Sequence, residues 1–275
     1  MTMLIASSLI LSACDSQTPD TSASSEVSGT ENSLEAENNG VPSDTEKDTN
    51  RFPDKLVPIP DSYLTEAKQQ GTLQDLYYNT YESFSYNEKS QRLQKHAVVY
   101  LPYGYNESKQ YPVFYLMHGG WNNEYTYLGS PDEPQGMKHI LDHGIANGEI
   151  QPMIVVCPTY NNTSPEDSGD YSLALRLTDN YHNELINDLI PAVEGKYSTY
   201  AEDTTPEAIA ASDTNDFTYS GFKNGIDAMR ESDSGLFRFA DNEAEGNLYY
   251  LESDGDHSGY YAMLYFYNGL RWIWR

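Results

Sequence analysis

The chain has 275 residues, enough for one sizeable domain with extensions, and it carries a formal net charge of −26, 24 tyrosines and only two cysteines. So acidic a surface excludes nucleic acid, whose phosphates need a basic footprint, and excludes adsorption to an anionic membrane surface. Cys14 and Cys157 imply no disulfide framework, and amphipathic tyrosine rings suit sugars, cores and strands equally well.

Residues 1–14 are apolar and close on Leu11-Ser12-Ala13-Cys14. An apolar run that ends on small residues, too short to span a bilayer, reads as an export signal. Its ending resembles the lipobox of bacterial lipoproteins, which implies cleavage before Cys14, lipidation of its thiol and a cell-surface location. No Lys or Arg precedes the apolar run, so an ordinary signal peptide with an incidental cysteine is the other reading. Residues 15–52 are rich in Ser, Thr, Glu and Asn and nearly free of large apolar side chains. Such a segment buries too little surface to offset its ordering entropy, and it reads as an acidic disordered tether. The folded domain is then expected over residues 53–275.

Within it, residues 56–60 are extended and proline-punctuated, and residues 63–70 read as a short helix. The Tyr/Ser/Phe alternation from Gly71 to Tyr86 suggests an antiparallel edge, and residues 92–100 a strand. Val113 to Met117 form a short apolar run that stops at His118-Gly119-Gly120, the pattern of a buried parallel strand entering a sharp turn. By itself that turn fits any strand-to-loop junction as well as an oxyanion loop. Residues 137–145 place Met137, Ile140, Leu141 and Ile145 on one helical stripe. His139 and His143 stand four apart on this helix, but no third ligand stands near, so a solvated face is expected and no metal. Residues 152–160 are a second buried strand, with Cys157 as a small core residue. Residues 179–197 form an amphipathic helix that Pro191 either kinks or marks in its last turn. A strand at residues 247–251 and an aromatic helix at residues 260–274 complete an α/β pattern.

Four blocks carry a family resemblance. They are Tyr115-Leu116-Met117-His118-Gly119-Gly120-Trp121, Met153 to Asn162, Asn183 to Pro191 running on to Tyr197–Tyr200, and Thr214-Asn215-Asp216-Phe217 with Gly255-Asp256-His257. Together they resemble the esterase branch of the α/β-hydrolases, the feruloyl and acetyl-xylan esterases of carbohydrate esterase family one. The resemblance covers most of residues 102–274. It implies a mostly parallel sheet flanked by helices, an acylated plant-wall polysaccharide as substrate and no cofactor. It also implies oxyanion donors from the Gly119, Gly120 and Trp121 backbone, with Asp216 and His257 as catalytic acid and base. An Asx-type turn and a loop histidine are the alternatives at the last two positions.

The family's nucleophile is missing. A serine hydroxyl is a weak nucleophile until a histidine takes its proton, and the family presents that serine on a Gly-x-Ser-x-Gly elbow. No serine in this chain has glycine at both −2 and +2. Ser212, Ser220 and Ser258 all fail this test. The segment ending at Ser212 resembles the family's run into the nucleophile strand, whereas Asp213-Thr214-Asn215-Asp216 resembles a turn that comes two strands later. The resemblance therefore implies an internal deletion near residues 212/213 that removes central strands. Three readings compete: an ester hydrolase by ancestry that is inactive as written, a non-catalytic surface lipoprotein that binds glycan or a protein partner, and an active enzyme with a substitute nucleophile.

Overall fold

The computed structural model describes residues 4–5, 55–206, 208 and 259–273. The strands are β1 (Leu4–Ile5), β2 (Thr72–Tyr81), β3 (Arg92–Leu101), β4 (Val113–Tyr115) and β5 (Ile154–Cys157). The helices are α1 (Gly136–Ala146), α2 (Tyr171–Glu184), α3 (Ile190–Glu194) and α4 (Gly259–Ile273). The strands form one sheet in the order β1-β4-β5-β3-β2. Among the described residues the sheet is mixed. β1 with β4 and β4 with β5 are parallel, while β3 runs antiparallel to both β5 and β2.

Burial follows from position in the sheet. On β2, at the edge, Leu76, Tyr78 and Thr80 are buried and alternate with exposed residues, as expected of a strand with one covered face. On β3 every residue from Ala97 to Leu101 is buried, because helices cover both faces. Val99, Val113, Tyr115, Ile154 and Val156 pack against Leu177, Tyr181, Leu189 and Val193 of the α2–α3 layer. Val98, Phe114, Val155 and Cys157 face the other way, against Met137, Ile140 and Leu141 of α1 and Phe266, Tyr267 and Leu270 of α4. Each fully buried aliphatic side chain stabilises the sandwich by about 1.5–3 kcal/mol relative to exposure. Fully buried Asn268 fastens α4 to the domain's first described stretch: its Oδ1 accepts from Val57 N at 2.7 Å and its Nδ2 donates to Val57 O at 2.9 Å.

Several elements differ from the sequence reading. Residues 63–70 hold only a short 3-10 turn, Asp61–Leu64, because Thr65 is already extended. The chain must then enter β2 through Gly71, where a Cβ would lie 2.4 Å from Leu101 O. The alternation up to Tyr86 is likewise two elements: β2 ends at Tyr81 and a 3-10 turn spans Ser83–Glu88. The long helix begins at Tyr171, not at residue 179, and is capped by the Asp170 carboxylate accepting from Leu173 N. Pro191 stands in the helix's last turn, Ile190–Glu194. A π-helical turn, Leu185–Leu189, precedes the proline, and Ile190 N donates to Leu185 O. This wider turn absorbs the register before the residue that has no N–H to give. The expected strand at residues 247–251, the tether and the junction at residues 212/213 lie outside the described residues.

Among the described residues, the outer edge of β4 meets Leu4–Ile5, in register with Phe114 and Tyr115. These two residues belong to the apolar run read above as an export signal.

Candidate active site

β4 and β5 are parallel neighbours, with Val113 opposite Ile154 and Tyr115 opposite Val156, and Leu116 N donates to Val156 O at 2.8 Å. Their carboxyl ends therefore open side by side, where open α/β sheets place their ligands. From β4 emerges Met117-His118-Gly119-Gly120, and from β5 emerges Pro158-Thr159-Tyr160-Asn161.

The His118 ring is the clasp between these two ends. Its Nδ1 lies 2.7 Å from Gly119 O and its Nε2 lies 2.7 Å from Thr159 Oγ1. Only one tautomer satisfies both contacts: Nδ1–H donates to the carbonyl, and Nε2 accepts from the threonine hydroxyl. Burial pushes the His118 pKa down to about 4, so the ring is neutral at physiological pH. Tyr160 stacks on it at 4.4 Å, and the Tyr160 hydroxyl donates to the same Gly119 carbonyl at 3.0 Å.

This pairing fixes how the neighbouring backbone N–H groups point. Two donors hold the Gly119 carbonyl toward His118 and Tyr160. The peptide is trans, so the N–H of Gly120 points the opposite way. The next peptide is tied at both ends: Asn122 Nδ2 donates to Gly120 O at 2.9 Å, and Trp121 N donates to Ser168 O at 2.9 Å. Of the three candidate oxyanion donors, Trp121 has therefore spent its N–H inside the protein. Among the described residues no hydrogen bond uses the N–H groups of Gly119 and Gly120. The Trp121 side chain is 72% exposed, on a backbone at φ +59°.

A buried polar layer holds the loop from beneath. Asn161 Nδ2 donates to Asn122 O at 3.2 Å and to Pro165 O at 2.8 Å, and its Oδ1 accepts from Ser168 N at 2.8 Å. Ser168 Oγ donates to Asn122 O at 2.7 Å. Lys95 reaches up from β3, donating through Nζ to Thr159 O at 2.7 Å and to Glu184 Oε2 at 2.8 Å. Burial lowers the Lys95 pKa and raises that of Glu184, each against the pull of its partner. Farther along the loop, His96 sits between Glu124 (Nδ1, 3.2 Å) and Asp75 (Nε2, 2.8 Å). Burial opposes charge on His96, but the two carboxylates outweigh it and raise the pKa.

Asp216, His257 and Cys14 lie outside the described residues, so the structure gathers only the glycine loop of the expected constellation. Sequence reasoning missed its supports: Thr159, Tyr160, Asn161 and Ser168. Their one signal was position, a run of polar residues directly after a buried parallel strand. The paired histidines of α1 do not act together, since His143 Nε2 meets Thr65 O at 3.1 Å and stacks on Tyr63. Among the described residues no group of three or more His, Cys, Asp or Glu is arranged to hold a metal ion.

Comparison with known proteins places this geometry. Residues 90–210 match the family model described as "Putative esterase". Over 156 residues, 56% of this chain, the sequence is 42% identical to "Endo-1,4-beta-xylanase Y" of Acetivibrio thermocellus and spans 12% of that protein's length. Over 134 residues, 46% of this chain, it is 31% identical to "Endo-1,4-beta-xylanase/feruloyl esterase" of Xylanibacter ruminicola, spanning 17% of it. The chain thus covers a small part of each of these relatives. A mutant of the feruloyl esterase module from Clostridium thermocellum, complexed with sinapinate, superimposes with a TM-score of 0.58 at 28% identity, covering 81% of this chain and 95% of that one. The chain resembles the feruloyl esterases of carbohydrate esterase family one, and its fold is of the α/β-hydrolase kind.

Proposed function

We propose that this feruloyl-esterase-like chain is a carboxylic ester hydrolase by descent, directed at acylated xylan-type polysaccharide, that retains the oxyanion half of its site and lacks the nucleophile. The observation that carries the reading is the N–H of Gly120, turned away from His118 and Tyr160 by the bonds that these two make to the Gly119 carbonyl. Preorganised backbone donors at the carboxyl end of a parallel strand are what acyl transfer needs to stabilise a developing oxyanion. Asp216 and His257 supply the matching acid and base, and the absent Gly-x-Ser-x-Gly leaves His257 no hydroxyl to activate. The family match ends at residue 210, just before the junction where the elbow is missing, which supports loss of a segment rather than of a single serine.

The test uses the full-length chain with feruloylated arabinoxylan oligosaccharide. No ferulate release above the buffer rate is expected, since loss of a nucleophile costs about six orders of magnitude in subtilisin. Turnover that His257→Ala abolishes would overturn the reading. The same proposal puts the protein on a bacterial surface, anchored by lipid on Cys14. Metabolic labelling with a radioactive fatty acid should mark the wild type and not Cys14→Ser.

A further inference from the structure

Beside the glycine loop lies an open cup of about 510 Å³ lined by Asn122, Asn123, Tyr125, Thr126, Gly129, Ser130, Glu133 and Gln135. That volume is within the range of small-molecule sites, about 300–1,000 Å³. The lining is unlike a core remnant: apart from one tyrosine ring and one glycine, every residue carries an amide, a hydroxyl or a carboxylate.

The cup is preformed. Gly129 N donates to Tyr125 O at 2.8 Å, Ser130 and Glu133 exchange backbone bonds at 3.1 and 3.2 Å, and Gln135 N donates to Leu128 O at 2.9 Å. Gly129 is required here: its φ is +76°, and a Cβ would lie 2.2 Å from Glu133 O. The walls are anchored through Glu124 to His96 and through the Asn122 carbonyl to Asn161 and Ser168. A ligand therefore meets little ordering cost.

Asn122 spends its Nδ2 on Gly120 O, but the internal bonds of Asn123, Thr126 and Ser130 use acceptors and leave donors. Asn123 Oδ1 accepts from Tyr125 N, Thr126 Oγ1 accepts from Asn123 N, and Ser130 Oγ accepts from Glu133 N. The amide protons of Asn123 and the hydroxyl protons of Thr126 and Ser130 have no partner among the described residues, and the Glu133 carboxylate and the Gln135 amide are exposed beside them. Vicinal sugar hydroxyls, each both donor and acceptor, match such a set. Tyr125, 40% exposed and stacked on His96 at 5.3 Å, offers an apolar ring face to a pyranose. Glu133, the lining's one charged side chain, and a net charge of −26 select against anionic ligands.

We infer that this cup is a subsite for the uncharged backbone of a β-1,4-linked pentose oligosaccharide, seating the polysaccharide next to the glycine loop. The choice of pentose chain rests on the esterase reading proposed above; the polar geometry does not.

Calorimetric titration of the full-length chain with unesterified xylohexaose tests it. Saturable binding is expected, weakened about tenfold in Glu133→Ala/Gln135→Ala, which removes two exposed hydrogen-bonding groups and no core contact. Gln135→Trp, which fills the cup instead of emptying it, should weaken binding as well, with the circular dichroism of both variants unchanged. No binding of xylohexaose, or affinity indifferent to both variants, overturns the subsite. Because xylohexaose carries no ester, that failure is separate from the esterase reading, which falls only on ferulate release.

Discussion

Lys95→Met is expected to destabilise the domain by about 3–5 kcal/mol at neutral pH, the cost of stranding one partner of a buried ion pair. The Lys95 and Glu184 side chains are 6% and 8% exposed, so solvent does little to soften the loss. Methionine keeps the apolar stem but leaves the Glu184 carboxylate with only the Tyr78 hydroxyl and leaves Thr159 O without its ammonium donor. The pH dependence is the sharper signature. Burial already raises the Glu184 pKa, and without Lys95 it rises further. The unfolded carboxyl titrates near about 4.3, so above that pH the folded state binds the extra proton. This contribution is fully present in acid and is lost as pH rises through the folded pKa, by up to about 1.4 kcal/mol per unit. Urea midpoints at about pH 5 and about pH 7.5 read the difference at constant slope. A loss below about 1 kcal/mol at neutral pH, or an equal loss at both pH values, would refute the reasoning. Lys95→Met/Glu184→Leu, which removes both charges, should recover most of the stability.

Buried neutral His118, with its pKa near 4, should make the wild type lose up to about 3 kcal/mol as pH falls from about 6.5 toward about 4, read as urea midpoints against pH; His118→Gln should flatten that limb. The unfolded ring takes up its proton first, which sets the sign. Gly129→Ala sets an L side chain at φ +76° and should cost about 1–2 kcal/mol for the backbone alone, lowering the melting temperature by calorimetry. Asn268→Ala removes the side-chain partner of the part-buried Val57 N–H and C=O and should cost about 0.5–1.5 kcal/mol per bond, with faster amide exchange at residue 57.

The core strands were legible because their signal is local. Ala97 to Leu101 and Ile154 to Cys157 are unbroken apolar runs bounded by turn residues, and both are strands buried on two faces. The start of α2 was hidden by a competing period. Leu173, Leu175 and Leu177 alternate like a strand, while the face actually buried is Ala174, Leu177 and Tyr181, at helical spacing. Asp170, which caps that helix, lies in a Ser/Pro/Glu/Asp-rich stretch that reads as loop. The site shows the same division. His118-Gly119-Gly120 announces itself in three letters, whereas the partners that orient it, Thr159 and Tyr160, lie 41 residues away. Nothing in sequence distance marks them. Which backbone N–H is spent and which is free, Trp121 against Gly120, is a property of peptide planes and has no letter at all.

Among the described residues, the bonds that hold the glycine loop run within residues 95–184. The oxyanion half of the proposed site can thus keep its shape with the elbow gone, which a site built jointly around its nucleophile could not. Such a half-site can bind an acyl carbonyl in the ground state, but binding that is not stronger in the transition state does not accelerate chemistry. Inserting a Gly-x-Ser-x-Gly strand-turn-helix segment between Ser212 and Asp213 therefore has a defined expectation. Ferulate release should appear, fall with His257→Ala, and fall again by about 10²–10³ when the loop is loosened through His118→Ala, because the Gly120 donor then loses its aim. Release that ignores His118 would mean that the hydrogen bonds from His118 and Tyr160 to Gly119 do not set the catalytic geometry.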